Sequence, residues 1–88
     1  MIRGMADQIG ITVLLFASLR ERAGTGRLTL RVPDATPVGA VWGHLPDPLA
    51  ADGPPAGLRY ALNETWTAPG APLRDGDRVA LVLPVSGG

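Results

Sequence analysis

Short runs of β-branched and aromatic residues recur along this chain with one helix-period segment among them, and that alternation leaves few folds open. Residues 11–17 (Ile-Thr-Val-Leu-Leu-Phe-Ala) have the length and composition of a strand. Their odd positions (Ile11, Val13, Leu15, Ala17) and even positions (Thr12, Leu14, Phe16, then Ser18) are both largely apolar, which suits a strand with little solvent exposure. Residues 27–32 (Arg-Leu-Thr-Leu-Arg-Val) alternate polar with apolar, as a half-buried strand does, and should pair with the first run in a hairpin-like arrangement. Residues 58–62 form a further strand, Asn63-Glu64 a tight turn, residues 65–67 a short return strand, and residues 78–85 the last strand.

The helix-period segment begins at Thr36-Pro37, with Thr36 as N-cap and Pro37 in the first helical position. Val38, Val41, Trp42 and Leu45 fall on one face, which should be buried. Gly39 and Gly43 each weaken such a helix by about 1 kcal/mol relative to Ala, so packing must hold it. Pro46 and Pro48 end it. A shorter helix is expected over residues 18–23. There Ser18 would be the N-cap, Glu21 the reciprocal partner of a capping box, and Gly24 and Gly26 the stop.

Two loops remain: a Pro-rich one over residues 46–57, with a turn at 51–53, and one over residues 69–77 carrying the turn signal Asp75-Gly76-Asp77. Strands alternating with one main helix predict an α+β fold, a mixed sheet of four to five strands packed on that helix. Residues 1–10 have no periodicity and read as a disordered leader, residues 11–85 as the domain and residues 86–88 as a flexible tail. No repeat of solenoid length is present.

Composition removes several classes of function. An 88-residue chain makes one domain. It has no cysteine, so disulfides, thiolate metal sites and a cysteine nucleophile are excluded, and a reducing compartment is favoured. Eight basic and eight acidic residues cancel and no basic stripe shows in the sequence, which argues against nucleic acid as a partner. All eight basic residues are Arg, so no side-chain amine can form a Schiff base or accept an isopeptide bond. The longest apolar runs, residues 13–17 and 79–85, are too short to span a membrane, and residues 1–10 lack the apolar core of a signal peptide. A cytoplasmic protein is expected.

His44 is the only histidine, so no histidine cluster can hold a metal; it reads as a surface side chain. Asp75 and Asp77 fit a turn that caps its own backbone better than a paired-carboxylate acid/base site. Ser18 and Ser86 have no recognisable base, and no phosphate-binding glycine loop is present.

The chemistry-bearing motif is Val85-Ser86-Gly87-Gly88, directly after the last strand. Two residues without a Cβ reach backbone conformations and narrow channels closed to others. Such a tail can thread into a partner's tunnel and present the carboxylate of Gly88. A free carboxylate is a poor electrophile. Adenylation by ATP makes it a mixed anhydride open to a sulfur nucleophile, and the product is a thiocarboxylate, a good sulfur donor.

Three separated stretches, in the right order, carry a resemblance to a known family. Residues 13–24 (Val-Leu-Leu-Phe-Ala-Ser-Leu-Arg-Glu-Arg-Ala-Gly) resemble the opening strand and helix of the MoaD/ThiS family of sulfur carriers, most of all the small subunits of molybdopterin synthases. Residues 60–65 (Tyr-Ala-Leu-Asn-Glu-Thr) are similar to that family's turn. Residues 72–88, with Pro72-Leu73, Asp75-Gly76-Asp77 and the Ser86-Gly87-Gly88 ending, are similar to its C-terminus. The similarity covers residues 11–88. Two departures stand out: residues 46–57 are Pro-rich where relatives often continue helix, and Leu83-Pro84 replaces a Pro-Pro pair.

The resemblance implies a ubiquitin-like β-grasp fold. It also implies adenylation of Gly88 by an E1-like adenylyltransferase that uses ATP, loading from a persulfide-bearing sulfurtransferase, and no cofactor bound by the carrier itself. The loaded tail, with Val85, Ser86 and Gly87 threading, would insert into the large subunit of molybdopterin synthase, in a heterotetramer. There the sulfur goes to cyclic pyranopterin monophosphate to build the dithiolene of molybdopterin. Phe16, Trp66 and Val82 match family positions that meet the partner, although Trp66 and Val82 are different residue types from the usual ones. Arg20 matches one near that contact, or is a solvated helix charge. Pro84 is expected at the interface because it shares a strand face with Val82, while Phe16 and Trp66 could instead complete a second small core. Alternation adds a physical reason for an exposed apolar patch of Phe16, Trp66 and Val82: they lie opposite the core-facing positions. Two other readings stay open. One is a related carrier serving thiamine, cysteine, tRNA thiolation or a specialised metabolite; the other is a ubiquitin-like binding module or protein modifier without sulfur.

Overall fold

The structure, a computed structural model, describes residues 8–47 and 49–84. Its elements run β1 (Gln8–Leu15), α1 (Ala17–Ala23), β2 (Arg27–Pro33), a 3-10 helix (Val38–His44), a 3-10 turn (Ala50–Asp52), β3 (Arg59–Leu62), β4 (Thr65–Thr67) and β5 (Arg78–Val82). The five strands form one mixed sheet in the order β2-β1-β5-β3-β4. Only the β1–β5 pair is parallel; the other neighbours are antiparallel. The expected α+β architecture is therefore present.

β1 and β5 occupy the middle of the sheet, and their alternation sets its two faces. Ile9, Ile11, Val13 and Leu15 of β1 and Val79 and Leu81 of β5 are buried against Val38, Val41, Trp42 and Leu45 from the 3-10 helix segment. The buried face expected for the main helix is borne out. Removing side chains of this size from water stabilises a fold by roughly 1.5–3 kcal/mol each.

β1 starts at Gln8, so residues 8–10 belong to the sheet and not to a leader. Gly10 hides the alternation in the sequence. The register continues nonetheless: Gln8 faces Pro33, Ile9 faces Val32, and Gly10 faces Arg31. Asp75 Oδ1 also accepts the Gly10 N–H at 2.8 Å. The rest of the expected leader, residues 1–7, lies outside the described residues.

The first strand ends at Leu15, and the turn into α1 differs from the expected capping box. Phe16 is the N-cap, with no side-chain cap bond, and Ser18 lies inside the helix. The Phe16 carbonyl accepts the N–H groups of Leu19 and Arg20 at 3.1 and 3.3 Å, while Ala17 takes a left-handed φ of 49°. That reversal at Ala17 advances the helix start and removes Ser18 from the capping position. Gly24 closes the helix as expected, at φ 77°, its N–H donating to the Arg20 carbonyl at 2.9 Å.

The second helical segment is 3-10, not α. Pro37 is its N-cap, and the Thr36 hydroxyl donates to the Pro33 carbonyl at 2.6 Å instead of capping. The first N–H groups find partners outside the helix: Val38 donates to the Ala71 carbonyl and Gly39 to the Pro69 carbonyl, both at 2.8 Å. Those bonds pull the helix against residues 69–71. A Cβ on Gly39 would sit 2.8 Å from the Pro69 Cβ, so this glycine permits a close approach that its helix propensity does not reveal.

Within the Pro-rich segment, Leu49 is fully buried and plugs the core. Gly53, at φ 70°, follows the short 3-10 turn. β5 stops at Val82, so Leu83 and Pro84 of the expected strand lie outside it, and Val85 lies outside the described residues. Its parallel partner β1 ends at Leu15, opposite Leu81, and its antiparallel partner β3 begins at Arg59, opposite Val82. No strand remains on either side to continue the ladder, and Pro84 has no N–H to offer one.

Candidate functional site: the open sheet face and the C-terminal exit

Register brings together what the sequence separates. A single row crosses all five strands: Arg27, Leu14, Ala80, Ala61 and Trp66 are successive partners. They share the face opposite the core. The neighbouring row pairs Val82 with Arg59, and Phe16, in extended conformation (φ −131°, ψ 157°), continues the β1 alternation beside it. Phe16 is 50% exposed and Trp66 59%, large values for such side chains, while Val82 is half-buried. Phe16 and Trp66 thus share this face with the small side chains of Ala80 and Ala61.

Four arginines rim this face. Arg27 and Arg31 lie opposite Leu14 and Gly10, Arg78 opposite Thr12, and Arg59 opposite Val82. All four are exposed. The Arg59 guanidinium stands 5.2 Å from the centroid of the Trp66 ring, a cation–π geometry that braces the indole. Arg78 pairs with Glu64 at 3.4 Å, with both side chains largely in water, a contact worth little to stability. The sequence shows no basic stripe because these residues are far apart in the chain; the sheet register collects them.

Of the sequence-derived interface residues, Phe16, Val82 and Trp66 share this face. Arg20 is exposed on α1, and its Nε lies 3.3 Å from where a Cβ on Gly26 would be, so its stem follows the end of the β1–β2 connection. Pro84 is exposed but is not a strand residue, so it does not share a strand face with Val82. Val85, Ser86, Gly87 and Gly88 lie outside the described residues. Leu14, Arg59, Ala61 and Ala80 belong to the face and were missed. The even positions of β1 pointed to Leu14, but the others needed the β5–β3–β4 register.

Two of the sequence motifs meet beneath the site and serve architecture. Asn63 and Glu64, at φ 50° and 73°, make the two-residue β3–β4 turn. Asn63 Nδ2 donates to Asp77 Oδ1 at 3.0 Å, and Asn63 Oδ1 accepts the Arg78 N–H at 3.0 Å. Asp77 Oδ2 accepts the Arg74 N–H at 2.8 Å. Asp75 Oδ1 and both carboxylate oxygens of Asp77 therefore serve backbone and amide donors, which fits the turn reading. His44 is exposed, as expected. No helix among the described residues is long and apolar enough to cross a membrane.

A five-stranded mixed sheet closed over helical segments, with an open apolar face beside the C-terminal strand, defines a ubiquitin-like β-grasp protein. The ThiS family model matches residues 13–88, and the chain belongs to the ThiS family. A relative in Arabidopsis thaliana, the molybdopterin synthase sulfur carrier subunit, is 34% identical over 87 residues, covering 93% of this chain and 86% of that one. The crystal structure of SAMP1, from Haloferax volcanii, superposes with a TM-score of 0.75 at 30% identity, covering 90% of this chain and 99% of that one. A putative molybdopterin converting factor subunit 1 from Pyrococcus furiosus superposes with a TM-score of 0.74 over 88% of this chain and 99% of its own, and at 21% identity it bears on the fold alone.

Proposed function

We propose that this chain is the sulfur-donating small subunit of a molybdopterin synthase, working through the carboxylate of Gly88. One observation carries the reading: the family match runs through the Ser86-Gly87-Gly88 ending, and a relative 34% identical over 93% of this chain is a molybdopterin synthase sulfur carrier subunit. The Gly88 carboxylate attacks the α-phosphorus of ATP on an E1-like adenylyltransferase, giving an acyl-adenylate and releasing pyrophosphate. The terminal sulfur of a sulfurtransferase persulfide then attacks the acyl carbon and expels AMP. A thiol reduces the resulting acyl disulfide, leaving the thiocarboxylate. The carrier supplies no acid, base or cofactor to these steps; it supplies a presented terminus and a docking face.

The open face supports the docking half of this reading. Phe16, Leu14, Val82 and Trp66 offer apolar anchors, and the four arginines favour a partner surface with an apolar centre and acidic groups at its edge. Val85, Ser86 and Gly87 would thread the large subunit's channel, and Arg20 and Pro84 would flank the contact. The acceptor would be cyclic pyranopterin monophosphate, and the carrier would act in the cytoplasm.

Incubation with the adenylyltransferase, ATP and a sulfur source should raise the intact mass by one oxygen-for-sulfur exchange. Removal of Gly88 should abolish that gain without moving the unfolding midpoint. A mass gain in the truncated chain, or none in the full chain with an adenylyltransferase shown to be active, would overturn the assignment.

A second reading, a protein modifier, is favoured by the likeness to SAMP1, named a small archaeal modifier protein in a second crystal structure at 27% identity and a TM-score of 0.75. It predicts amide conjugates of Gly88 on other proteins' lysines. The absence of lysine here means this chain offers no side-chain amine to a second copy.

A further inference from the structure

The Pro-rich segment and the point where the chain leaves the sheet are in contact. Beyond Val82, Leu83 is half-buried against the core and Pro84 is exposed. Gly57, two residues before β3, takes φ 80°, and a Cβ there would lie 3.3 Å from Pro84 Cγ and 3.7 Å from Pro84 Cδ. The Pro84 ring therefore rests where residue 57 has no side chain.

The platform carrying Gly57 is held on both sides. Upstream, Leu49 is fully buried and Pro54 and Pro55 restrict their own φ angles. The Leu58 N–H donates to the Pro55 carbonyl at 3.3 Å, closing the turn that contains Gly57. Downstream, β3 is locked to β5 from the Arg59–Val82 pair onward. Pro84 lies only two residues beyond that pair, and its fixed φ transmits any displacement of its ring to the chain that follows.

We infer that Gly57 is a positioning residue. Its bare backbone seats the Pro84 ring and so sets the direction in which the C-terminal segment leaves the sheet toward the partner that acts on it. This deepens the proposed function and takes from it only the identity of the reaction. A side chain at position 57 displaces Pro84, and the terminus then starts from the wrong direction. The Pro-rich segment thereby serves as a stiff shelf under the exit.

The test is a cycle on the full-length chain. Gly57→Asn keeps a residue that tolerates positive φ and adds atoms against the ring. Gly24→Asn is its control, because Gly24 has a similar φ of 77° and nothing within 4 Å of a Cβ. Pro84→Ala removes the ring. The readouts are kcat and KM for carrier-dependent ATP–pyrophosphate exchange by the adenylyltransferase, the urea midpoint, and the NMR contact between Gly57 Hα and Pro84 Hγ in the unmodified chain.

We expect Gly57→Asn to lower kcat/KM about tenfold, a misplacement-sized loss. Gly24→Asn should leave kcat/KM unchanged, and Gly57→Asn should cost nothing further in the Pro84→Ala background. Equal losses in both backgrounds, equal losses for Gly57→Asn and Gly24→Asn, or no NMR contact would overturn the proposal. If the contact is present but the unmodified chain supports no exchange, the sulfur-carrier reading fails while the seating of Pro84 stands.

Discussion

The two faces of the sheet share the same strands, yet they obey different constraints. On the core side, Val13, Val79 and Leu81 are fully buried, and Ile9, Ile11 and Leu15 nearly so. On the open side, alternating with them, Leu14, Ala80 and Val82 are half-buried while Phe16 and Trp66 stand in solvent. Neighbours in sequence thus serve different ends. One set holds the domain together; the other is an apolar surface with a basic rim that the isolated domain does not need. Contiguous exposed aromatic and aliphatic groups on a small domain mark a surface for a partner.

The sharpest way to break this division is to place the same charge on adjacent residues of β1. Val13→Asp buries an unpaired carboxylate at a fully buried position, a cost of several kcal/mol, comparable to the whole stability of a domain this size. Circular dichroism should show no folded population. Leu14→Asp should fold with a native spectrum and lose partner binding. Equal unfolding in both variants would erase the distinction between the faces.

A gentler pair follows. Leu81→Ala should cost about 2–5 kcal/mol in urea unfolding, since Leu81 is fully buried. Trp66→Ala and Phe16→Glu should change stability by only about 0.5 kcal/mol, as surface substitutions do, yet lower affinity for the large subunit by about tenfold or more in calorimetry. Unchanged affinity would remove Phe16 and Trp66 from the interface.

Smaller still, Asp77→Ala removes the acceptor for the Arg74 N–H and Asn63 Nδ2, and should cost about 1–2 kcal/mol without selective loss of binding. It separates residues that hold the turns from residues that form the face. Smallest in equilibrium terms, Arg27→Glu with Arg31→Glu should slow association and weaken its salt dependence while stability stays within about 0.5 kcal/mol. Stopped-flow rates at several ionic strengths would measure this.

Much of the architecture was legible because short-range signals agree with one another. The strand runs, the Asn63-Glu64 and Asp75-Gly76-Asp77 turns, and the buried stripe Val38, Val41, Trp42 and Leu45 all stand where alternation and turn chemistry put them. The errors fell at element ends and in the type of the main helical segment, which is 3-10. Gly10 hid the start of β1, Ala17 brought the helix start forward so that Ser18 lies inside it, and β5 lost its partners at Val82. Each end is decided by a distant neighbour or by a backbone angle that residue type does not announce.

The sequence alone therefore determined which residues are apolar and at what period, and with them the class of fold and the chemical character of the Gly-Gly ending. Only the tertiary structure decided which residues become neighbours. Arg27, Leu14, Ala80, Ala61 and Trp66 form one row because hydrogen-bonded strands set a register. The Gly57 contact with Pro84 exists because β3 begins where β5 ends, side by side. Local preference acts over a few residues, whereas register and close approach come from packing the whole chain.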